Sequence, residues 1–235
     1  MNIDYNQLTI AEAKVIQENL RANVQLAPLN KPIHTIAGAD ISLNLYSETI
    51  YAGIVILRYS DLQPLAYSLV KSTNTFPYVP GYLAFREVPA LMQVWEQMPI
   101  KPDIIMVDGH GIAHPRRMGI ASHFGTLTNT TTLGCAKKIL FGKWSEPESI
   151  KGSYMLIKDK EEIVGYALRS KNNVKPVFIS PGNQMCLQDS LNIAMHCIGN
   201  YRLPEPTRKA HEFVNRFRTG ELKEGYHVLE NWELF

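Results

Sequence analysis

The chain has 235 residues, enough at 45% hydrophobic content for one sizeable α/β core, and nothing in its length asks for a second domain. Its formal charge is only +2, so a nucleic-acid ligand would have to be held by a local patch and not by an overall basic field. Cys135, Cys186 and Cys197 lack zinc or disulfide spacing and no stretch approaches the ~20 apolar residues of a membrane span, so a soluble cytoplasmic monomer with buried, reduced thiols is expected.

Thr9 to Glu12 reads "TIAE", a capping box, and Ala13, Ile16, Leu20 and Val24 follow at helical spacing, so a first helix is expected over 9–24. Three β-rich runs, from His34, Thr49 and Pro64, are separated by polar turns and read as consecutive antiparallel strands. A helix over 84–98 and a short, uniformly apolar strand over 102–108 come next. Beyond a Gly-rich turn the pattern gives a helix over 114–128, a strand from Thr131, a hairpin across "DKEE" and a strand from Lys175. Leu187 to Ile198 and Ala210 to Phe217 carry apolar helical stripes. This order argues for a mixed central sheet with helices on both faces.

Within that frame Asp40, Glu87 and Asp108 each lie at the edge of an apolar element. Asp40 interrupts "IAGADISL", where a carboxylate is costly unless paired, bound to metal, or satisfied by backbone N–H groups at a strand end. Asp108 closes a buried strand and precedes "GHG"; in open α/β sheets, sites lie beyond the carboxyl ends of strands. Glu87, taken alone, reads as a helix N-terminal carboxylate. Together the three offer the hard oxygen donors that Mg²⁺ or Mn²⁺ takes. Between Asn74 and Glu87 the chain reads "NTFPYVPGYLAFRE", in which Pro77 and Pro80 stiffen a tip carrying Tyr78 and Val79.

"AGADIS" at Asp40, "PYVPGYLAFRE" at 77–87, "VDGHGIAHPRRMGIASHFG" at 107–125, "TLGCAKK" at 132–138 and "SPG" at 180–182 together resemble endonuclease V, the deoxyinosine-specific DNA repair nuclease. The resemblance runs in order over most of the chain and implies a ribonuclease H-like fold in one domain, 1–235. It implies that Asp40 and Asp108 hold the metal, that Glu87 is the third acid, and that His114 and Lys137 match the histidine and lysine beside the scissile phosphate, with Lys138 adjacent to the latter. By the same resemblance Pro77, Tyr78, Val79 and Pro80 form a wedge that enters the duplex where the base is extruded, and Gly81, Leu83, Gly109, Ile120 and Gly134 build the base pocket. Leu83 and Ile120 would otherwise read as plain core, which is the preferred reading for Ile120, and the alternative to the wedge is a loop packed on its own surface.

The implied activity is metal-dependent hydrolysis of the second phosphodiester bond 3′ to deoxyinosine, in double- or single-stranded DNA, with Mg²⁺ or Mn²⁺ as cofactor. An inosine-specific ribonuclease and a non-catalytic inosine-binding protein are the rival readings. After "SPG" the sequence has Asn183, Gln184 and Gln188 where the family usually has a histidine, a basic residue and an aspartate, which puts support from that corner in doubt. Arg202, Arg208, Lys209, Arg216 and Arg218 follow, either as duplex contacts or as a solvated helix face.

Overall fold

A computed structural model of the chain describes residues 4–43 and 47–229; the remainder of the expected 1–235 domain lies outside the described residues. Helix α1 (Ile10–Arg21) leads into strands β1 (Thr35–Leu43), β2 (Thr49–Arg58) and β3 (Pro64–Thr73). Next come α2 (Leu83–Gln97), β4 (Ile104–Val107), α3 (Ile120–Thr128) and β5 (Thr132–Ala136). The chain continues through β6 (Tyr154–Asp159), β7 (Glu162–Leu168), β8 (Val177–Asn183), α4 (Leu187–Cys197), α5 (Glu205–Arg218) and β9 (Gly225–Val228). These strands form one sheet in the order β6-β7-β8-β5-β4-β1-β2-β3-β9, with β1, β4 and β5 parallel to one another and the other pairs antiparallel.

Period-two alternation along the strands decides which core each side chain enters. On β1, Ile36 joins Leu191, Phe213 and Phe217 under α4 and α5, whereas Ala37 and Ala39 join Val88, Leu91 and Phe124 under α2 and α3. The sheet is thus covered on both faces, as expected from the element order. Among the described residues, no helix is long and apolar enough to cross a membrane.

The capping box is present: the Thr9 side chain accepts from the Glu12 backbone N–H, and the Glu12 carboxylate accepts from Thr9 N at 2.8 Å. Two expectations need correction, and one strand was not anticipated. The helix expected from His114 begins only at Ile120, because Pro115 removes a donor, Arg117 adopts φ 57° and the His114 ring accepts the Arg116 N–H, turning the chain before a helix can start. Strand β9, four residues with no alternation, escapes the sequence pattern; it pairs with β3 through backbone bonds and a stack of His227 on Tyr67. Of the cysteines, Cys135 and Cys197 are buried, but Cys186 is half-buried and caps α4 by accepting from Asp189 N.

Candidate active site

Parallel strands β1, β4 and β5 point their carboxyl ends the same way, and each delivers one charged group there. Asp40 stands one residue past the last β1–β4 pair, Asp108 directly follows β4 and Lys137 directly follows β5. Asp108 is held by its backbone N–H donating to Ala39 O at 2.9 Å, which locks the two carboxylate-bearing ends together. Glu87 reaches the same cleft from α2. It is the fifth residue of that helix, beyond the first turn, so dipole stabilisation at the N-terminus is not its role. The cleft holds about 410 Å³ and is lined by Asp40, Glu87, Asp108, Lys137, Lys138 and Tyr78, among others.

The charges in it are poorly balanced. Burial first, then repulsion from Asp40 and Asp108, pushes the Glu87 carboxyl up to about 8. Burial and the adjoining Asp40 raise Asp108 to about 6 even though Lys137 pulls it down. Lys137 Nζ donates directly to Asp108 Oδ2, and that ion pair keeps its ammonium above the ordinary lysine value in spite of burial. Asp40, 6% exposed, accepts from Ile41 N at 2.8 Å and from His211 Nδ1 at 2.8 Å.

His211 is the residue that the sequence did not reveal. It sits on the charged face of α5, and only packing brings it to Asp40. That packing depends on Gly38, whose position has room for no side chain: a Cβ there would lie 1.8 Å from Pro206 O at the start of α5. The His211 Nε2 faces Asn215 Nδ2 at 3.0 Å, so the amide donates to Nε2 and the Nδ1–H tautomer faces the carboxylate. The hydrogen bond to Asp40 raises the affinity of the ring for a second proton.

The corner after "SPG" plays another part. Asn183 is buried and donates to Gly125 O at 3.0 Å, and Gln184 donates to Asn129 Oδ1 at 2.7 Å, so both tie α3 to the sheet. Gln188 bonds Asn192 Oδ1 within α4 at 2.9 Å. The basic run is also largely committed. Arg208 binds Glu205 and Glu212, Lys209 binds Glu212, and Arg216 binds Glu221. Arg218 donates to Asn215 Oδ1 at 3.5 Å. Arg202 donates to the backbone oxygens of Lys137 and Pro176, at 2.7 and 2.9 Å, and so fixes the strand end that carries Lys137.

Behind the cleft lies an inner cavity of about 60 Å³ walled by Gly81, Leu83, Gly109, His114, Ile120 and neighbouring residues. Ile120 both lines this cavity and packs in the core. Gly134 does not line it; a side chain there would strike Gly109 O at 2.4 Å, so its absence lets the turn at 109–111 sit flat on β5. Gly81, at φ 82°, turns the chain between tip and cavity, and its carbonyl accepts from His114 Nε2 at 3.0 Å, Arg116 Nη2 at 2.8 Å and Gln17 Nε2 at 3.0 Å. His114 therefore stands apart from the acids with both nitrogens engaged, and burial holds it down to about 4, uncharged at neutral pH. His110 donates from Nε2 to Lys138 O at 2.9 Å, which leaves Nδ1 a buried acceptor with no protein partner among the described residues. At the rim, Tyr78 is 71% exposed while Phe76 beneath it is buried against Phe85, so the tip is not folded onto its own surface.

Among the described residues, no three His, Cys, Asp or Glu side chains converge as a ready-made metal cage. The donor set still suits a hard divalent ion that keeps several of its waters, because Asp40 and Asp108 are adjoining oxygen donors whose mutual repulsion a cation would relieve.

A family model described as Endonuclease V matches residues 18–212. Endonuclease V from Dictyoglomus turgidum is 43% identical over 212 residues, 90% of this chain and 92% of the relative. Among solved structures, endonuclease V from Streptomyces avermitilis superposes with a TM-score of 0.85 at 34% identity, covering 91% of this chain and 95% of the other. Endonuclease V from Ciona intestinalis, solved with a 24mer DNA containing an inosine followed by a ribo-adenosine, gives 0.78 at 26% identity over 89% and 98% of the two chains. The fold is ribonuclease H-like, as the sequence resemblance implied.

Proposed function

From the premise that the chain belongs to the endonuclease V family of nucleases, we propose that this single-domain protein recognises deoxyinosine in DNA and hydrolyses the second phosphodiester bond on its 3′ side with the help of Mg²⁺ or Mn²⁺. The observation that carries this reading is the gathering of Asp40, Glu87, Asp108 and Lys137 in one cleft, with an exposed tyrosine at its rim and a small, mostly apolar cavity behind it. The relative from Ciona intestinalis, bound to inosine-containing DNA, supports the choice of ligand.

Asp40 and Asp108 would hold the ion, which when bound supplies Lewis-acid polarisation of the phosphate and a more acidic water. Lys137, released from Asp108, places its ammonium against the charge that builds on the phosphate. His211 keeps Asp40 oriented through Nδ1–H. Glu87, raised to about 8, is poised to hold or give up a proton near neutral pH. Tyr78 stacks in the space left by the extruded base. That base enters the inner cavity, where backbone groups and the free His110 Nδ1 read the C6 carbonyl and N1–H of hypoxanthine. His114 acts through Gly81, setting the tip and the cavity wall.

The test is a nicking assay on a duplex with one deoxyinosine, with and without Mg²⁺, and the product end mapped at single-nucleotide resolution. A single cut one nucleotide beyond the lesion's 3′ neighbouring bond is expected, and only with metal. Cleavage confined to inosine in RNA would replace this reading with the ribonuclease one. Binding without cleavage would leave only the recognition half.

A further inference from the structure

Residues 138–145 leave the acid cleft and run onto a second cleft, of about 1040 Å³, at the outer edge of the sheet, lined by Lys143, Trp144, Tyr154, Lys158 and Lys160 among others. There Lys143 and Lys158 face each other across an isolated antiparallel bridge and exchange both backbone bonds, at 2.7 and 2.8 Å. Directly opposed residues project to the same side, and like charges so placed repel. Among the described residues neither lysine forms an ion pair with an acid. Arg117 takes up Asp159 and Glu162 of this hairpin, each at 2.6 Å, which leaves Glu161 against Lys138, Lys143, Lys158 and Lys160. Edge strands do carry lysines to deter pairing with another chain. At Lys158, however, the edge is already covered by the Lys143 backbone, so deterrence does not explain the pair.

We propose that the Lys143–Lys158 pair is a docking point for the phosphate backbone of nucleic acid flanking the lesion, so that the bound strand runs from the acid cleft along residues 138–145 to the sheet edge. The proposal rests on reading the acid cleft as a nuclease site. Charge complementarity and continuity with that cleft select a polyanion as the occupant. The chain from Lys137 to Lys143 spans at most about 20 Å, a distance that a strand rising 3.4 Å per nucleotide covers in about six steps.

Lys143→Glu separates function from stability. It turns a repelling cross-strand pair into an attracting one, so the melting temperature should hold or rise while nucleic-acid binding weakens. Binding is read by fluorescence anisotropy in EDTA, over a salt series, on inosine duplexes whose flanks are lengthened on each side in turn. For flanks beyond about six nucleotides on the side that reaches the edge, affinity should fall about threefold to tenfold, and the slope against log salt should drop by about one to two. Shorter probes should bind wild type and variant alike, and Mg²⁺-dependent cutting at saturating substrate should keep its rate. Lys143→Ser/Lys158→Ser should act in the same direction. Equal affinities and slopes on long probes would overturn the proposal, as would an equal loss on short and long ones. A wild-type dimer that Lys143→Glu dissolves, with DNA binding unchanged, would also overturn it by giving the edge to a second copy. Wild-type protein that fails to prefer inosine over adenine would count against the acid-cleft reading, while the flank-length effect would still decide the lysine pair.

Discussion

The acid cleft and the inner cavity share Gly81, Leu83, Gly109, His110 and Leu140 as walls, yet they are built on opposite lines. In the cleft, three carboxylates outnumber their cationic partners, and two of them are raised well above their ordinary range. In the cavity wall three donors converge on the Gly81 carbonyl, and among the described residues only His110 Nδ1 is a buried side-chain polar atom of the wall without a protein partner. The cleft is left electrostatically incomplete, as a site awaiting a cation should be, whereas the cavity is preorganised and offers shape. Damage to the first should therefore appear in rate, and damage to the second in discrimination.

The sharpest break is expected from Asp108→Asn or Asp40→Asn. Each should lower metal-dependent nicking by about 10²-fold or more with the melting temperature little changed, since an amide is a poorer ligand of nearly the same shape. Rates near wild type in either would remove the metal assignment. Lys137→Ala should cut the single-turnover rate by at least about tenfold while lesion affinity stays within a few-fold; equal losses in both would make it a phosphate anchor only.

Acid should strike the cavity side. His114 and His123 are held by burial at about 4 and about 3, against an ordinary 6.5. As pH falls below about 6.5 the unfolded chain takes up protons that these rings refuse, so their contribution is full above that pH. It is lost between there and about pH 4 for His114, and somewhat lower for His123. Glu87 and Asp108, raised to about 8 and about 6, work in the opposite direction over this range, so the histidine share is read as a difference: in urea titrations from pH 7 to pH 4 wild type should lose up to roughly 3 kcal/mol relative to His114→Gln. A difference between wild type and His114→Gln that stays constant with pH would contradict the buried neutral His114.

Smaller effects belong to the tip. Tyr78→Ala should weaken lesion binding by about 1–3 kcal/mol, less on unpaired substrates, with metal binding untouched. Pro77→Ala/Pro80→Ala should give a milder version of the same defect, because it loosens the ring and does not delete it. A 2-aminopurine reporter beside the lesion follows both; normal flipping in Tyr78→Ala would show the tip to be a stiff loop and nothing more.

How much of this was legible beforehand depended on whether a signal was local. Asp40, Asp108 and Lys137 stand at the ends of short apolar strands, where a charge is conspicuous, and the long motifs around Glu87 and His114 pointed to a family. The helices with clear apolar stripes fell close to their expected bounds. His211 gave no such sign, since on a helix rich in arginine and glutamate a histidine looks like one more solvated side chain. Gln17 was hidden for the reverse reason: it shares a face with Ala13 and Leu20, and its burial becomes visible only when Gly81 and Met118 arrive from 64 and 101 residues away. Helix α3 starts later than its apolar pattern predicts because the competing force is a side chain, His114, capping its own turn.

The missing side chain at Gly38 bears on inheritance more than on chemistry. The residue bonds no substrate and neighbours no charge, yet its emptiness sets the gap between β1 and α5, and so decides whether His211 meets Asp40. An alanine there would force the helix outward and misalign a pair that lies two residues further along the strand. A lineage drifting at this position would lose its nuclease with every charged group intact, and a survey of reactive residues alone would give no reason for the loss.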